Sequence, residues 1–104
     1  MPGVPLAIVV SEDGPRLATA LTLAAAAAAL GRAVTMLFDG ASVAALARAD
    51  PLLATALDLG VEITACQTGL ADAGIHATDL PAGVTSSGMV AFLGQASEAQ
   101  LLLA

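Results

Sequence analysis

Short apolar runs alternate with longer helical stretches along this chain, and glycine, proline or small polar residues mark the junctions. The runs at residues 6–10, 33–38 and 61–65 predict buried strands, because short, continuous apolar runs are typical of parallel strands covered on both faces. Shorter segments at residues 84–86 and 100–103 predict two more strands. Helices are predicted between them, so strand and helix alternate along the chain.

The predicted helices have recognisable start and stop signals. The first spans residues 15–30: Ser11 and Asp13 are candidate N-caps, Pro15 suits the first turn, and Gly31 suits a left-handed C-terminal cap. Two short helices, 41–49 and 53–59, lie on either side of Asp50-Pro51. A brief helix follows Cys66 and stops at Gly74, and the last helix spans residues 88–96.

This alternation, with short connections, predicts a three-layer α/β/α sandwich around a parallel sheet of about five strands, of Rossmann-like or flavodoxin-like type. A length of 104 residues predicts a single domain, residues 1–104. In such sheets, ligands and reactive groups gather beyond the carboxyl ends of the strands. Four candidate loops share that edge, and they contain Ser11, Asp39, Cys66 and Ser86-Ser87. The strand order stays open.

The composition predicts self-association and argues against nucleic acid. Hydrophobic residues make up 58% and charged residues 12%, so a monomer has few polar groups to cover its surface. The first helix is apolar nearly all the way round, which predicts one face on the sheet and another on a neighbouring subunit. The net charge is −6, and no basic cluster exists that could bind nucleic acid.

The single cysteine favours a reducing, cytoplasmic compartment, because small secreted domains usually carry several disulfides. The first residues lack the basic start of a secretory signal, so we expect no targeting segment. The longest apolar stretch, residues 17–30, is shorter than the roughly 20 residues that a membrane span needs. It predicts a buried helix and no membrane partner.

Cys66 is the leading functional candidate, because it stands where a predicted strand ends and Gln67-Thr68-Gly69 begins a helix. The free N–H groups of a helix N-terminus favour the thiolate, which is the reactive form of cysteine. The opposing interpretation is a small buried hydrophobic residue, since free cysteine is among the most buried residue types. The residue pattern alone leaves both interpretations open.

Other candidate sites have weaker signals. His76 could act as a base for Cys66, although a solvated surface imidazole fits its polar surroundings better. One cysteine and one histidine do not make a zinc site, so we expect no metal. Ser87-Gly88 offers hydroxyl and N–H donors before the last helix, and Ser11 and Asp39 lie on the same edge. We expect no flavin, because a flavin usually stacks on aromatic side chains and Trp and Tyr are absent.

The order and spacing of several short motifs are similar to those of a known family. The motifs are Phe38-Asp39-Gly40-Ala41, Ala65-Cys66, Gly74-Ile75, Leu80-Pro81-Ala82-Gly83-Val84 and Ser87-Gly88-Met89. Together with the alanine-rich first helix, they resemble the DsrE/DsrF-like family, which includes small subunits of bacterial sulfur-relay complexes. The resemblance covers most of the chain.

The resemblance implies a parallel α/β sandwich that assembles into trimers, hexamers or complexes with related subunits. It implies that Cys66 carries persulfide sulfur between donor and acceptor proteins, with Ser87 and Gly88 shaping its pocket and without a metal or cofactor. Asp72 and Ala73 stand where relay subunits often have basic residues. Two alternatives therefore stay open: a non-catalytic oligomeric interaction module, and a small-ligand-binding Rossmann-like domain.

Overall fold

A computed structural model describes residues 3–48 and 50–104 of the chain. Within this part, five strands and five α-helices alternate. The strands are β1 (Leu6–Val10), β2 (Val34–Phe38), β3 (Glu62–Cys66), β4 (Val84–Ser87) and β5 (Gln100–Leu103). The helices are α1 (Pro15–Ala29), α2 (Val43–Leu46), α3 (Pro51–Asp58), α4 (Gln67–Ala73) and α5 (Met89–Gln95). Short 3-10 turns occupy Gly40–Ser42 and Ala77–Asp79.

The five strands form one parallel sheet in the order β4-β3-β2-β1-β5. The predicted fold class, a parallel α/β sheet of about five strands between helices, is confirmed. The chain moves across the sheet in one direction from β1 to β4 and then returns past three strands to β5. Because βαβ crossovers share one hand, the returning connection lies on the opposite face from the others.

One sheet face, the main face, carries most of the core. Strand residues such as Ile8, Met36 and Ile63 are buried there beneath Leu17 and Leu21 of α1. Side chains of α2, α3 and α4 complete this layer: Val43, Leu46, Leu53, Ala56 and Leu70. The β-branched and leucine residues on this face explain why the first three strands were predictable from apolar runs alone.

The other sheet face, the α5 face, has a thinner cover. Phe92 of α5 packs there with Ala7, Val9, Leu37 and Cys66 in a separate apolar cluster. Among the described residues, α5 is the one helix that contributes a buried side chain to this cluster. The apolar edge of this face, which is strand β5, is therefore exposed to solvent. Leu101 and Leu103, which pair in register with Ala7 and Val9, are 49% and 78% exposed.

The start of α1 differs from the sequence prediction. Neither Ser11 nor Asp13 caps the helix: Gly14 occupies the N-cap position without a side-chain hydrogen bond. The physical reason is that the Asp13 carboxylate accepts two hydrogen bonds from Arg48 instead, at 2.6 and 2.7 Å. At the other end, Gly31 has the predicted left-handed conformation, with φ of 92°.

The middle of the chain is less helical than predicted. The predicted helix 41–49 is a 3-10 turn followed by the four-residue α2, and its predicted end, Ala49, lies outside the described residues. Asp50-Pro51 separates two helices and also forms the start of α3. Asp50 caps α3 by accepting a hydrogen bond from the N–H of Leu52, and Pro51 is the first helical residue. Among the described helices, none has the length and apolarity to cross a membrane.

Candidate functional site

Four candidate residues lie in a row along the carboxyl edge of the sheet. Val10 pairs with Phe38, Phe38 pairs with Ala65, and Cys66 pairs with Ser87. Continuing these registers by one residue places Ser11, Asp39, Cys66 and Ser87 side by side, one on each of four adjacent strands. The sequence had predicted a shared edge; the register adds the order of the residues along it.

The chain leaves β3 and β4 toward opposite faces of the sheet. After Cys66 it enters α4, whose Leu70 is buried in the core of the main face. After Ser87 it passes Gly88 into α5, whose Phe92 is buried on the opposite face. Adjacent parallel strands whose connections diverge in this way leave a crevice beyond their carboxyl ends, where α/β proteins bind ligands. Cys66 and Ser87 lie at this position.

The thiol itself is nearly covered. Cys66 is 7% exposed and belongs to the apolar cluster with Leu37 and Phe92 on the α5 face. It is also the N-cap residue of α4, with an extended backbone, and its side chain makes no capping hydrogen bond. The sulfur therefore packs in an apolar cluster, on a residue that directly precedes the first turn of α4.

The residues after Cys66 have different roles. Gln67 and Thr68 are exposed on the first turn of α4 and are free to contact a partner. Gly69 is buried, and a Cβ at this position would lie 3.0 Å from Cγ1 of Val43 and 3.3 Å from the backbone nitrogen of Gly40. This glycine lets α4 approach the loop after β2 closely.

A buried serine that the sequence analysis did not single out holds the neighbouring loop. The Ser42 hydroxyl lies 2.9 Å from the carbonyl oxygen of Val10 and 2.7 Å from that of Asp39, and it donates its proton to these carbonyls. The N–H of Asp39 also donates to the Val10 carbonyl, at 2.8 Å. These bonds join the ends of β1 and β2. A serine in an alanine-rich segment gave no sequence signal for this role.

The serines at the end of β4 are not needed as helix caps. Gly88 is the N-cap of α5, and no side-chain hydrogen bond caps that helix. Ser86 points to the main face and Ser87 to the α5 face, because their register partners are Ala65 and Cys66. Within the part of the chain that the structure describes, the half-buried Ser87 hydroxyl has no hydrogen-bond partner, so it is free to interact with sulfur or substrate.

His76 lies away from the carboxyl edge. It follows α4, which begins directly after Cys66 and spans seven residues or about 10 Å, so His76 lies beyond the opposite end of that helix. It is exposed, and its backbone N–H donates to the Asp79 carboxylate at 3.0 Å. Across residues 3–48 and 50–104, no three His, Cys, Asp or Glu side chains converge into a group that could hold a metal ion.

An ion pair ties two loops on the same side of the sheet. Arg48, after α2, contacts Asp13, before α1, with both guanidinium nitrogens. The hydrogen bonds from Arg48 lower the pKa of Asp13 below its ordinary value, and the same bonds raise the pKa of Arg48. The pair is exposed, so it links the loops without bringing a charge close to the buried thiol.

These features define a class: a doubly wound parallel α/β protein with one cysteine at the crevice between two diverging strands. The family comparison agrees with this class. Residues 5–104 match the model of the DsrE/DsrF-like family, so the chain belongs to this family. The resemblance inferred from the short motifs is thereby confirmed. A comparison with curated protein sequences finds no match.

Three solved structures illustrate the similarity of fold. Protein BT1422 of Bacteroides thetaiotaomicron has a TM-score of 0.79 and 21% identity, with 96% of this chain and 94% of that chain covered. The E. coli ychN protein has a TM-score of 0.78 and 19% identity, with 95% and 97% covered. Protein MTH1491 of Methanobacterium thermoautotrophicum has a TM-score of 0.75 and 18% identity, with 98% and 100% covered. At these identities the likeness supports the fold, and it says nothing of activity.

Proposed function

We propose that this protein is a sulfur carrier that holds a persulfide on Cys66 and passes its outer sulfur between protein partners. The observation that carries the proposal is the position of Cys66 at the end of β3, opposite Ser87, where the connections after β3 and β4 diverge. Membership of a family that includes sulfur-relay subunits supports the same chemistry. The proposal places the protein in the cytoplasm, where a lone thiol stays reduced.

Each transfer is an exchange at a sulfur–sulfur bond. The Cys66 thiolate attacks the outer sulfur of a donor persulfide, a new S–S bond forms on Cys66, and the donor cysteine leaves as a thiolate. In the second step an acceptor thiolate attacks the outer sulfur on Cys66, and Cys66 leaves as a thiolate. The sulfur atom moves without an external oxidant or reductant, so the chemistry needs neither metal nor cofactor.

The site suits this exchange in two respects. Cys66 is the N-cap residue of α4 at the carboxyl end of β3, so it lies at the crevice where a partner cysteine can approach. The apolar cluster around Cys66 shields the persulfide from water and from other thiols. Gln67 and Thr68, exposed beside the thiol, are candidate contacts for donor and acceptor proteins.

The direct test is the mass of the intact protein after incubation with polysulfide or a low-molecular-weight persulfide. We expect an increase by one sulfur atom that a thiol reductant reverses and that is absent in Cys66→Ser. A further incubation of the loaded protein with a thiol acceptor should return the original mass. If the wild-type protein gains no sulfur from several donors, the carrier function is wrong.

The coverage of the thiol favours a second candidate, a non-catalytic interaction module. Cys66 is 7% exposed, while Val90, Leu93, Leu101 and Leu103 leave apolar surface open on the α5 face. In this alternative the cysteine is a packing residue and the exposed apolar surface assembles the chain with further copies or related subunits. A native protein whose thiol resists both sulfur donors and small alkylating reagents would support the module over the carrier.

A further inference from the structure

Helix α5 covers Cys66 and is weakly attached to the sheet. Its one fully buried residue is Phe92, which is 4% exposed and packs in the same cluster as Cys66. Met89 and Ala96 are partly buried beside it, whereas Val90 is 87% exposed. By comparison, the fifteen-residue α1 buries six side chains. One aromatic side chain therefore supplies most of the apolar contact that holds the cover.

Polar interactions add little to this attachment. Within the described part of the chain, no side-chain hydrogen bond and no ion pair involves residues 88–96, and the N-cap residue Gly88 offers no capping side chain. Gly94 lies inside the helix, where glycine lowers helix stability, and its Cα faces open space. A seven-residue helix with these properties belongs to the least stable part of a fold, the part that opens locally.

The structure also has space beside α5. A cavity of about 520 Å³ lies at its carboxyl-terminal end, lined by Gln95 of α5 and by Glu62, Thr64 and Thr85 of the sheet. These sheet residues are polar or exposed, and the Thr64 and Thr85 hydroxyls hydrogen-bond each other at 3.3 Å. Water therefore has access to the sheet beside the carboxyl-terminal end of α5.

We propose that α5 is a cover over the Cys66 thiol that opens by local unfolding. In the closed state Phe92 and its neighbours bury the sulfur, and in the open state donor and acceptor cysteines reach it. The role of the cover in sulfur exchange rests on the proposed function. The existence of the cover does not rest on the proposed function, because opening of α5 controls the access of any small thiol reagent to Cys66.

The test uses the rate at which iodoacetamide modifies Cys66 in the folded, full-length protein. When opening limits access, this rate is proportional to the fraction of molecules in which α5 is open. Gly94→Ala adds a helix-favouring residue, and its methyl group meets nothing within 4 Å. We expect the iodoacetamide rate to fall about fourfold, the factor that corresponds to the difference in helix propensity between glycine and alanine. Ala91→Gly, at an exposed α5 position, should raise the rate by about the same factor.

The matched control is Ala26→Gly, which makes the same exchange at an exposed position of α1. We expect it to leave the iodoacetamide rate unchanged. Equal rates in all four proteins would overturn the proposal, because access would then not pass through α5. An acceleration by Ala26→Gly as large as that by Ala91→Gly would overturn it too, since access would require global unfolding. If the substitutions change the iodoacetamide rate as expected and the protein still gains no sulfur, only the carrier function is wrong.

Discussion

Cys66 and Ser87 are register partners on adjacent parallel strands, and both side chains face the sheet side that α5 covers. Ser87 is half-buried, and among the described residues its hydroxyl has no partner. Neighbouring strands are about 4.8 Å apart, so a serine hydroxyl at this position can donate a hydrogen bond to a sulfur anion on Cys66. In the proposed sulfur exchange we therefore expect Ser87 to act as a positioning residue for the sulfur on Cys66.

This relationship predicts that Ser87→Ala slows the loading of Cys66 with sulfur by about tenfold, because a hydrogen bond to a charged group contributes about 1.5 kcal/mol or more. The measurement is the rate of sulfur gain by intact mass at one pH and donor concentration. Ser86→Ala is the control, since Ser86 lies on the same strand and faces the other side of the sheet. Equal rates for the two variants would contradict the role of Ser87.

The close approach of α4 to the loop after β2 predicts opposite effects for two glycine substitutions. Gly69→Ala places a methyl group 3.0 Å from Val43, so we expect a loss of about 1–3 kcal/mol in the free energy of unfolding. Gly94→Ala meets nothing within 4 Å and should gain about 0.5–1 kcal/mol from helix propensity. Denaturant unfolding measures both. If Gly69→Ala instead raises the free energy of unfolding, the segment after β2 moves aside to accept the methyl group, and this prediction is wrong.

Much of the fold could be predicted from the sequence because its local signals are strong. The apolar runs that become β1 and β2 are buried almost throughout, and in β3 the buried Ile63 and Ala65 alternate with the exposed Glu62 and half-buried Thr64. Gly31, Gly60 and Gly74 all adopt positive φ at the ends of helices, where glycine is the residue with the least steric strain. Both kinds of signal depend on nearest neighbours in the chain.

The parts that could not be predicted depend on contacts between distant segments. Strand order decides that the connections after β3 and β4 diverge, and no local pattern contains it. Asp13 was expected to cap α1 and instead pairs with Arg48, 35 residues away. Gly69 was expected at the helix start after Cys66, but its packing on Val43 depends on a contact that only the tertiary structure makes. The position of Cys66 and the helix at residues 88–96 were both predictable, and the packing of that helix against Cys66 was not.

The Asp13–Arg48 pair predicts a pH-dependent contribution to stability. Because the folded state lowers the pKa of Asp13, the contribution is present above the unfolded pKa, about 3.9, and is lost as the pH falls through the folded value. Asp13→Asn should therefore lower the free energy of unfolding at pH 7, and the difference from wild type should shrink as the pH is lowered below 4. Denaturant unfolding at several pH values measures it.

Two checks separate this ion pair from a general charge effect. Glu12→Gln removes the neighbouring exposed carboxylate and should show no comparable loss, because no ion pair in the described structure includes Glu12. Added salt should reduce the difference between wild type and Asp13→Asn, since the pair is exposed and screened. A difference that stays constant from pH 7 to the lowest pH at which the protein folds would contradict the assignment.

The apolar edge of the α5 face predicts where copies of the chain, or related subunits, assemble. Leu103 on β5 is 78% exposed, and β5 has neither the lysine nor the proline that protects many edge strands. We expect Leu103→Glu to lower the assembled mass, because assembly would bury an unpaired charge. Light scattering after size separation measures that mass. Leu30→Glu tests the competing interface on α1 that the sequence predicts, since Leu30 at the end of α1 is 77% exposed. If Leu30→Glu dissociates the assembly and Leu103→Glu does not, the interface lies on α1 and this prediction is wrong.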